Sequence, residues 1–317
     1  MNNRIRQELS LTDDILLVCH MRPDGDAIGS LIGLGLALET AGKTVRMVSV
    51  DGIASNFKFL AGYKKIKQTI GENFNLVIAI DCSDIQRTGL EKEIGDKPII
   101  NIDHHITNDH YGLINYVDSK AAATAEIIAE NLPHWGLALD IDIASALLTG
   151  IITDTIGFRT SNVTSRTLHL AADLMSFGID ISEIYMHALI NRSIEAVRYW
   201  GAGLNKLHQI DSLVWTSLTL EDQKKTGYSG KDDADLINIL SSIEGINISI
   251  IFIEQPGGGV KVSWRAQPGY DVSQLAMEFG GGGHPAAAGA MFDKQLEEVQ
   301  EIVIRETRKI LINNKHS

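Results

Sequence analysis

Cysteine is nearly absent. Cys19 and Cys82 are the only two in 317 residues, and both fall in or just after apolar, strand-like runs. No disulfide framework can be built from them, and a reducing cytoplasm is the expected compartment. Proline is scarce too, with 6 residues, and no low-complexity tract interrupts the chain, which argues against long disordered segments. Apolar runs stay short: none reaches the roughly 18 residues needed to span a bilayer. The opening "MNNRIRQELSLTDD" lacks the apolar core of a signal peptide, so no membrane association is expected. Positive charge is in deficit, 28 Lys and Arg against 40 Asp and Glu, for a net charge of −12. A broad basic surface for long duplex DNA is not expected from that balance. An acidic chain can still take a phosphate ligand where metal ions and a few basic residues supply the local field. No G-x-G-x-x-G follows the first apolar run, which excludes a dinucleotide-binding dehydrogenase.

What the chain does have is 44% hydrophobic residues, enough for sizeable cores, and a length that points to two domains. In the first half, "ILLVC" (15–19), "TVRMVSV" (44–50), "NLVIAI" (75–80) and "KPIINI" (97–102) are apolar runs of strand length. Between the first two, residues 25–41 place Leu31, Leu34, Ala37 and Leu38 on one helical face. Apolar strands alternating with helices predict a mostly parallel sheet flanked by helices. From 121 to 190 the pattern is mostly helical, and 191–208 reads as a connecting helix. The remainder differs: a strand at "SLVWTSLTL", a helix over 232–243, a hairpin at "NISIIFIEQPGGGVKVSWRA" with a Gly-rich turn, a helix over 271–279, a "GGGGHPAAAG" loop, and a terminal helix from about 293. The predicted class is α/β: a domain over 1–190, a linker helix over 191–208, and a smaller α/β domain with a mixed sheet over 209–317.

Acidic and histidine residues gather at the ends of these runs. "CHMRPDGDAIG" places His20, Asp24 and Asp26 after the first strand, "IAIDCSD" places Asp81 after the third, "NIDHHITN" places Asp103, His104 and His105 at the end of the fourth, and "GIITDTIGF" places Asp154 at the end of a helical run. In an open parallel sheet, functional groups collect at the carboxyl ends of strands. Each piece alone has a bland explanation: a turn or helix cap for "DGD", a capping residue at Asp81, a surface or core histidine pair, a solvated charge at Asp154. Jointly they are hard to dismiss. Of these, His20, Asp24, Asp26, Asp81, His104 and Asp154 offer four carboxylates and two imidazoles without a thiolate, a set that suits Mn²⁺, or less decisively Mg²⁺ or Co²⁺, and disfavours a structural zinc site. So many acids repel one another without cations, and two ions about 3.5–4 Å apart, sharing a carboxylate, fit the set.

The order His20-x-x-x-Asp24-x-Asp26, Asp81, Asp103-His104-His105, Asp154 resembles the DHH phosphoesterases. "FGGGGHPAAAG" (279–289), preceded by "VSWRAQPGYDVSQLA", is similar to the signature of the DHHA1 domain. The branch most resembled comprises oligoribonucleases (nanoRNases) that also dephosphorylate 3′-phosphoadenosine 5′-phosphate (pAp). The resemblance implies a DHH catalytic domain over 1–190 and a DHHA1 substrate-binding domain over 209–317. It also implies His20, Asp24 and Asp81 on one Mn²⁺ and Asp26, Asp81, His104 and Asp154 on a second. His105 then faces the scissile phosphate and Asp103 fixes an imidazole. Arg265, Gly281, Gly282, Gly283 and His284 are implied as substrate-binding, with Arg159 and Asn162 of "GFRTSNVT" near the site. Trp264, bulkier than the family's usual residue there, is expected to pack inward.

The expected activity is hydrolysis of short oligoribonucleotides to mononucleotides and of pAp to AMP, with short RNA and small nucleotides as partners. A homodimer is one expectation for the oligomeric state. The alternatives are a phosphodiesterase acting on pApA or cyclic di-AMP with the same machinery, and a non-catalytic nucleotide-binding regulator, which the intact motifs disfavour. A family II pyrophosphatase shares the N-terminal motifs but lacks the "GGGGHPAAAG" stretch.

Overall fold

The computed structural model describes residues 1–71, 73–230 and 232–314. The chain divides into two compact units, 1–191 and 192–317. In the first, elements run α1 (Asn2–Leu11), β1 (Asp14–Cys19), α2 (Gly25–Thr40), β2 (Thr44–Val48), β3 (Leu76–Ile80), α3 (Glu91–Ile94), β4 (Ile99–Asp103), β5 (Ile114–Val117), α4 (Thr124–Trp135), α5 (Ile141–Asp154), α6 (Ser165–Met175) and α7 (Ile181–Tyr185). The five strands are all parallel in the order β2-β1-β3-β4-β5. The chain leaves β1 to one side for β2 and returns to the other side for β3. That reversal opens a crevice between β1 and β3 at their carboxyl ends, the usual ligand position in such sheets.

Continuous apolar runs make these central strands because both sheet faces are covered. Ile15, Leu17, Ile78, Ile80, Ile100 and Ile102 face a large core shared with α2, α4 and α5. Leu16, Val18, Val77 and Ala79 face a smaller one closed by Leu90 and Ile94 of the α3 region. The helices α2 and α5 approach unusually closely. Gly25, Gly29 and Gly33 form a ridge on α2, and a Cβ on Gly29 would lie 2.4 Å from the Ala146 carbonyl oxygen. Gly25 lies against Thr153 and Gly33 against Leu147, so the two helices run antiparallel. The start of α2, with Asp24 and Asp26, therefore meets the end of α5, with Asp154. The four strands expected from the apolar runs and the helix α2 are present, whereas α1 and the short edge strand β5 are additions to that expectation.

The second unit runs α8 (Ile194–Leu204), β6 (His208–Ile210), β7 (Leu213–Leu218), α9 (Leu220–Thr226), α10 (Leu236–Leu240), β8 (Ile248–Glu254), β9 (Val260–Ala266), α11 (Ser273–Glu278), β10 (Gly282–His284), β11 (Ala287–Phe292) and α12 (Leu296–Asn314). Its mixed six-stranded sheet has the order β10-β11-β9-β8-β7-β6, with β7 and β8 parallel and the other pairs antiparallel. Tyr199 of α8 and Leu236, Ile237 and Leu240 of α10 cover one face. Leu275 of α11 and Val299 and Val303 of α12 cover the other. Trp264 packs inward as expected, fully buried, its Nε1 donating to Thr307 Oγ1 at 3.1 Å.

Two expectations are corrected here. The helix expected over 232–243 is confined to Leu236–Leu240, and "GGGGHPAAAG" is a strand pair rather than a loop. Glycine and alanine carry no strand propensity, yet strand approach requires them: a Cβ on Gly281 would lie 2.1 Å from the Gly289 carbonyl oxygen, and one on Gly283 2.4 Å from that of Ala287.

Candidate metal centre

Asp81 begins where β3 ends. Its backbone N–H continues the ladder to the Ile102 carbonyl at 2.9 Å, and its φ of +55° then turns the chain out of the sheet. Aspartate tolerates this left-handed conformation better than most residues. The fully buried carboxylate meets three imidazoles: Oδ2 lies 3.4 Å from His20 Nε2, while Oδ1 lies 3.7 Å from His104 Nε2 and 3.6 Å from His105 Nδ1. Asp24 Oδ2 stands 3.9 Å from His20 Nε2, and Asp154 Oδ2 3.6 Å from His104 Nε2. Asp26, buried in the first turn of α2, groups with Asp81 and His104 so that one ligand atom from each lies within 4.8 Å of the others; His20, Asp24 and Asp81 form a second such group. Asp81 is common to both.

The ring orientations are fixed from behind. His20 Nδ1 pairs with the Met21 carbonyl at 2.9 Å and His104 Nδ1 with that of Ala121 at 3.3 Å, so both Nε2 atoms face the cluster. A carbonyl only accepts, so Nδ1 is the donor in each ring, and in the neutral imidazole Nε2 then carries the lone pair a metal ligand needs. His105 is held differently. Its Nδ1 lies 2.7 Å from Asp103 Oδ1, which also accepts the His104 backbone N–H at 2.8 Å. Asp103 thus orients His105, while the His104 ring is oriented by a backbone carbonyl. Asn108 donates to Asp103 Oδ2 at 2.6 Å, completing its buried surroundings.

Backbone strain concentrates here. Among the described residues nine non-glycines have positive φ, and four flank the cluster: Arg22 (+54°), Asp81 (+55°), Ile156 (+49°) and Phe158 (+64°). A β-branched residue at such an angle is rare, and Arg22 also precedes a proline, which disfavours it further. Each costs on the order of 1–3 kcal/mol and persists only where the surroundings over-determine it, as they do at functional sites.

Electrostatics report a shortage of positive charge. Burial raises Asp26 to about 7, and the neighbouring Asp81 carboxylate adds to the rise. Burial, together with the charges of Asp26, Asp24 and Asp81, pushes Asp154 well above the ordinary range. Burial also acts to raise Asp81, but the His20 hydrogen bond and the charges of His105, His20 and His104 outweigh it and hold the carboxyl far below the usual range. Burial works to depress His20, yet the Asp81 hydrogen bond and the Asp24 charge raise it to about 9. Such a cluster takes up protons to relieve repulsion between carboxylates, and a divalent cation relieves it better. Oxygen and imidazole donors with no thiolate fit a hard or borderline ion. The nearby thiols stay protonated, since burial pushes Cys19 up to about 12 and moves Cys82 in the same direction. The residues present can hold a metal ion.

The other residues singled out in the sequence come from other segments of the chain. Arg159 and Asn162 are exposed on the turn after α5, and Asn162 Nδ2 reaches the Ala122 carbonyl at 3.4 Å. In the second unit Arg265 of β9, Ala287 of β11 and His284 of β10 stand directly opposite one another across three strands. Residues paired in this way share a sheet face. The Arg265 Nε is buried without a hydrogen-bond partner among the described residues, its Nη1 donates to the Trp264 carbonyl at 3.1 Å, and burial pushes the guanidinium pKa down. Gly281, Gly282 and Gly283 enter or form β10. Sequence reasoning missed Asn108 and Thr124. Asn108 closes "NIDHHITN", next to the histidine pair, whereas Thr124 sits in a run of alanines without any local signal.

Residues 14–151 match the DHH family, N-terminal domain, and residues 213–309 match the DHHA1 domain. The chain is 33% identical to a bifunctional oligoribonuclease and PAP phosphatase NrnA of Thermus thermophilus, covering 92% of this chain and 90% of that one. It is 28% identical to the Bacillus subtilis protein of the same name, over 92% and 93% of the two chains. A solved structure of an exopolyphosphatase-related protein from Bacteroides fragilis superposes with a TM-score of 0.90 at 26% identity, covering 99% of this chain and 97% of that one.

Proposed function

The chain belongs to the DHH phosphoesterase family, and from that premise we propose that it is a metal-dependent phosphohydrolase that degrades short oligoribonucleotides to mononucleotides and converts pAp to AMP. The observation that carries the metal part is the Asp81 carboxylate common to two donor groups, the arrangement two neighbouring divalent ions require. The substrate part is supported by relatives aligned over nine-tenths of the chain and named for those two activities. A net charge of −12 favours small substrates, whose few phosphates are neutralised at one spot.

His20, Asp24 and Asp81 would hold one ion and Asp26, Asp81, His104 and Asp154 the other, with Mn²⁺ preferred and Mg²⁺ or Co²⁺ as substitutes. When bound, the ions supply Lewis acidity toward a phosphoryl oxygen and lower the pKa of an attacking water. His105 does the proton work. With Nδ1 tied to Asp103, its Nε2 would donate to an oxygen of the reacting phosphate or to the leaving oxygen. Asp103 keeps that tautomer. Arg265, His284, Gly281, Gly282 and Gly283 serve as substrate-binding groups, the guanidinium forking onto a phosphate and the glycine backbone approaching it without obstruction. Arg159 and Asn162 fill the same role beside the metal cluster.

The purified protein with Mn²⁺ is assayed side by side on pAp, labelled di- to penta-ribonucleotides, pApA and pyrophosphate. Release of mononucleotides from the short RNAs and of phosphate from pAp is expected. Turnover of pApA alone moves the chain to the dinucleotide phosphodiesterase reading, and no turnover of any phosphoester contradicts an enzyme.

A further inference from the structure

Thr124 is the first residue of α4 and is fully buried. Helices begin with N–H groups that lack partners, which an N-cap side chain ordinarily serves. The N-cap position is Ala123, with no side-chain cap, and the Thr124 hydroxyl instead donates to Asp81 Oδ1 at 2.9 Å, a residue 43 positions away. The backbone N–H of Thr124 donates to Asp26 Oδ2 at 2.6 Å, and that of Ala125 to Asp26 Oδ1 at 2.9 Å. One residue thus touches both carboxylates that the Asp26, Asp81 and His104 group contains. The preceding turn belongs to the same frame: Ala121 supplies the carbonyl for His104, and Glu126 Oε2 accepts the Ala122 N–H at 2.7 Å.

We propose that Thr124 is a positioning residue of the metal centre, its hydroxyl setting the rotamer of Asp81 while its N–H sets that of Asp26. The inference rests on the metal-dependent reading above. A donated hydroxyl occupies one lone pair of Asp81 Oδ1 and leaves the others aimed at the cluster. Fixing a ligand in advance removes its rotamer entropy from the cost of binding an ion, and loss of such a supporting hydrogen bond weakens metal affinity about 10–100-fold.

The test is a Mn²⁺ titration of the metal-free protein by equilibrium dialysis, beside thermal unfolding in chelator. Thr124→Val deletes the hydroxyl but keeps the branched shape and the backbone N–H. It is expected to lose affinity for Mn²⁺ within that 10–100-fold range, while Thr124→Ser, which retains the hydroxyl, binds like wild type. A purely structural role would lower the unfolding temperature of both variants without separating their Mn²⁺ affinities. If the valine variant does not fold, Thr124→Ala deletes the same hydroxyl with no branched methyl beside Asp81 and is read by the same titration. Wild-type uptake together with unchanged uptake in the hydroxyl-free variant overturns the role of Thr124 alone. A wild-type chain that takes up no Mn²⁺ overturns the metal reading and the role of Thr124 with it.

Discussion

At the scale of single residues, the adjacent His104 and His105 separate into two kinds of group by what stands behind them. His104 presents Nε2 to Asp81 and Asp154 with a carbonyl behind it, whereas His105 is tied through Nδ1 to the buried Asp103. His104→Ala is expected to lower the number of Mn²⁺ ions bound per chain. His105→Ala is expected to keep that number and to lower turnover by about 10²–10⁴-fold, the range for a lost proton donor. Metal counting by atomic emission beside steady-state kinetics checks both, and equal metal loss in the two variants would contradict the division. The residue types here were legible in the sequence because ligands must be histidine or carboxylate. Their supports were not, since backbone carbonyls such as that of Ala121 leave no trace in a sequence, and neither does a left-handed φ at Ile156.

At the scale of elements, strand ends were legible and helix packing was not. Buried parallel strands read as uninterrupted apolar runs, so the positions following Cys19, Ile80 and Ile102 announced themselves. The glycine ridge on α2 reads in sequence only as a weak helix, because glycine lowers propensity by about 1 kcal/mol relative to alanine. Its purpose needs the partner helix. Gly29→Ala is expected to destabilise the protein by about 1–3 kcal/mol, since the new Cβ must displace the backbone of α5 and not merely a side chain. It should weaken Mn²⁺ binding as well, because the displaced helix carries Asp154. Denaturant unfolding in chelator and a Mn²⁺ titration measure the two effects. Strand propensity likewise hid β10 and β11, whose glycines and alanines are chosen for close approach.

The short helix α10 of the second unit gives a pH test. Asp233 Oδ2 accepts the Ile237 N–H at 2.8 Å, and burial raises its carboxyl above the ordinary range. A raised acid contributes stability that is complete below the unfolded pKa of about 3.9 and is lost as pH climbs through the folded value. Asp233→Asn, which keeps the acceptor and removes the charge, should therefore unfold at a higher temperature than wild type at pH 8, with the difference vanishing toward pH 4. Thermal melts at pH 4, 6 and 8 decide it; a variant less stable than wild type at pH 8 would contradict the assignment.

At the scale of the whole molecule, the two units carry different chemistry, the carboxylate and histidine cluster in the first and the Arg265 and His284 row in the second. Arg265→Ala is expected to weaken substrate binding by about 1.5–3 kcal/mol, as for a hydrogen bond to a charged group, and to leave Mn²⁺ affinity unchanged. KM values on pAp and a dinucleotide, set beside a metal titration, check this. The α/β class, the parallel and mixed sheets and the family were all legible because ligand motifs and apolar runs are strong local signals. Preference among substrates was not, since it depends on shape around the reacting phosphate. The proposed chemistry turns on one carboxylate serving two cations, and the direct measurement is Mn²⁺ bound per chain at saturation for wild type and for Asp81→Asn, in which asparagine accommodates the left-handed backbone. Two ions per wild-type chain and a loss of both from the variant, with its fold retained, are predicted; a wild-type chain that saturates with a single ion, or a variant that still binds two, would contradict it.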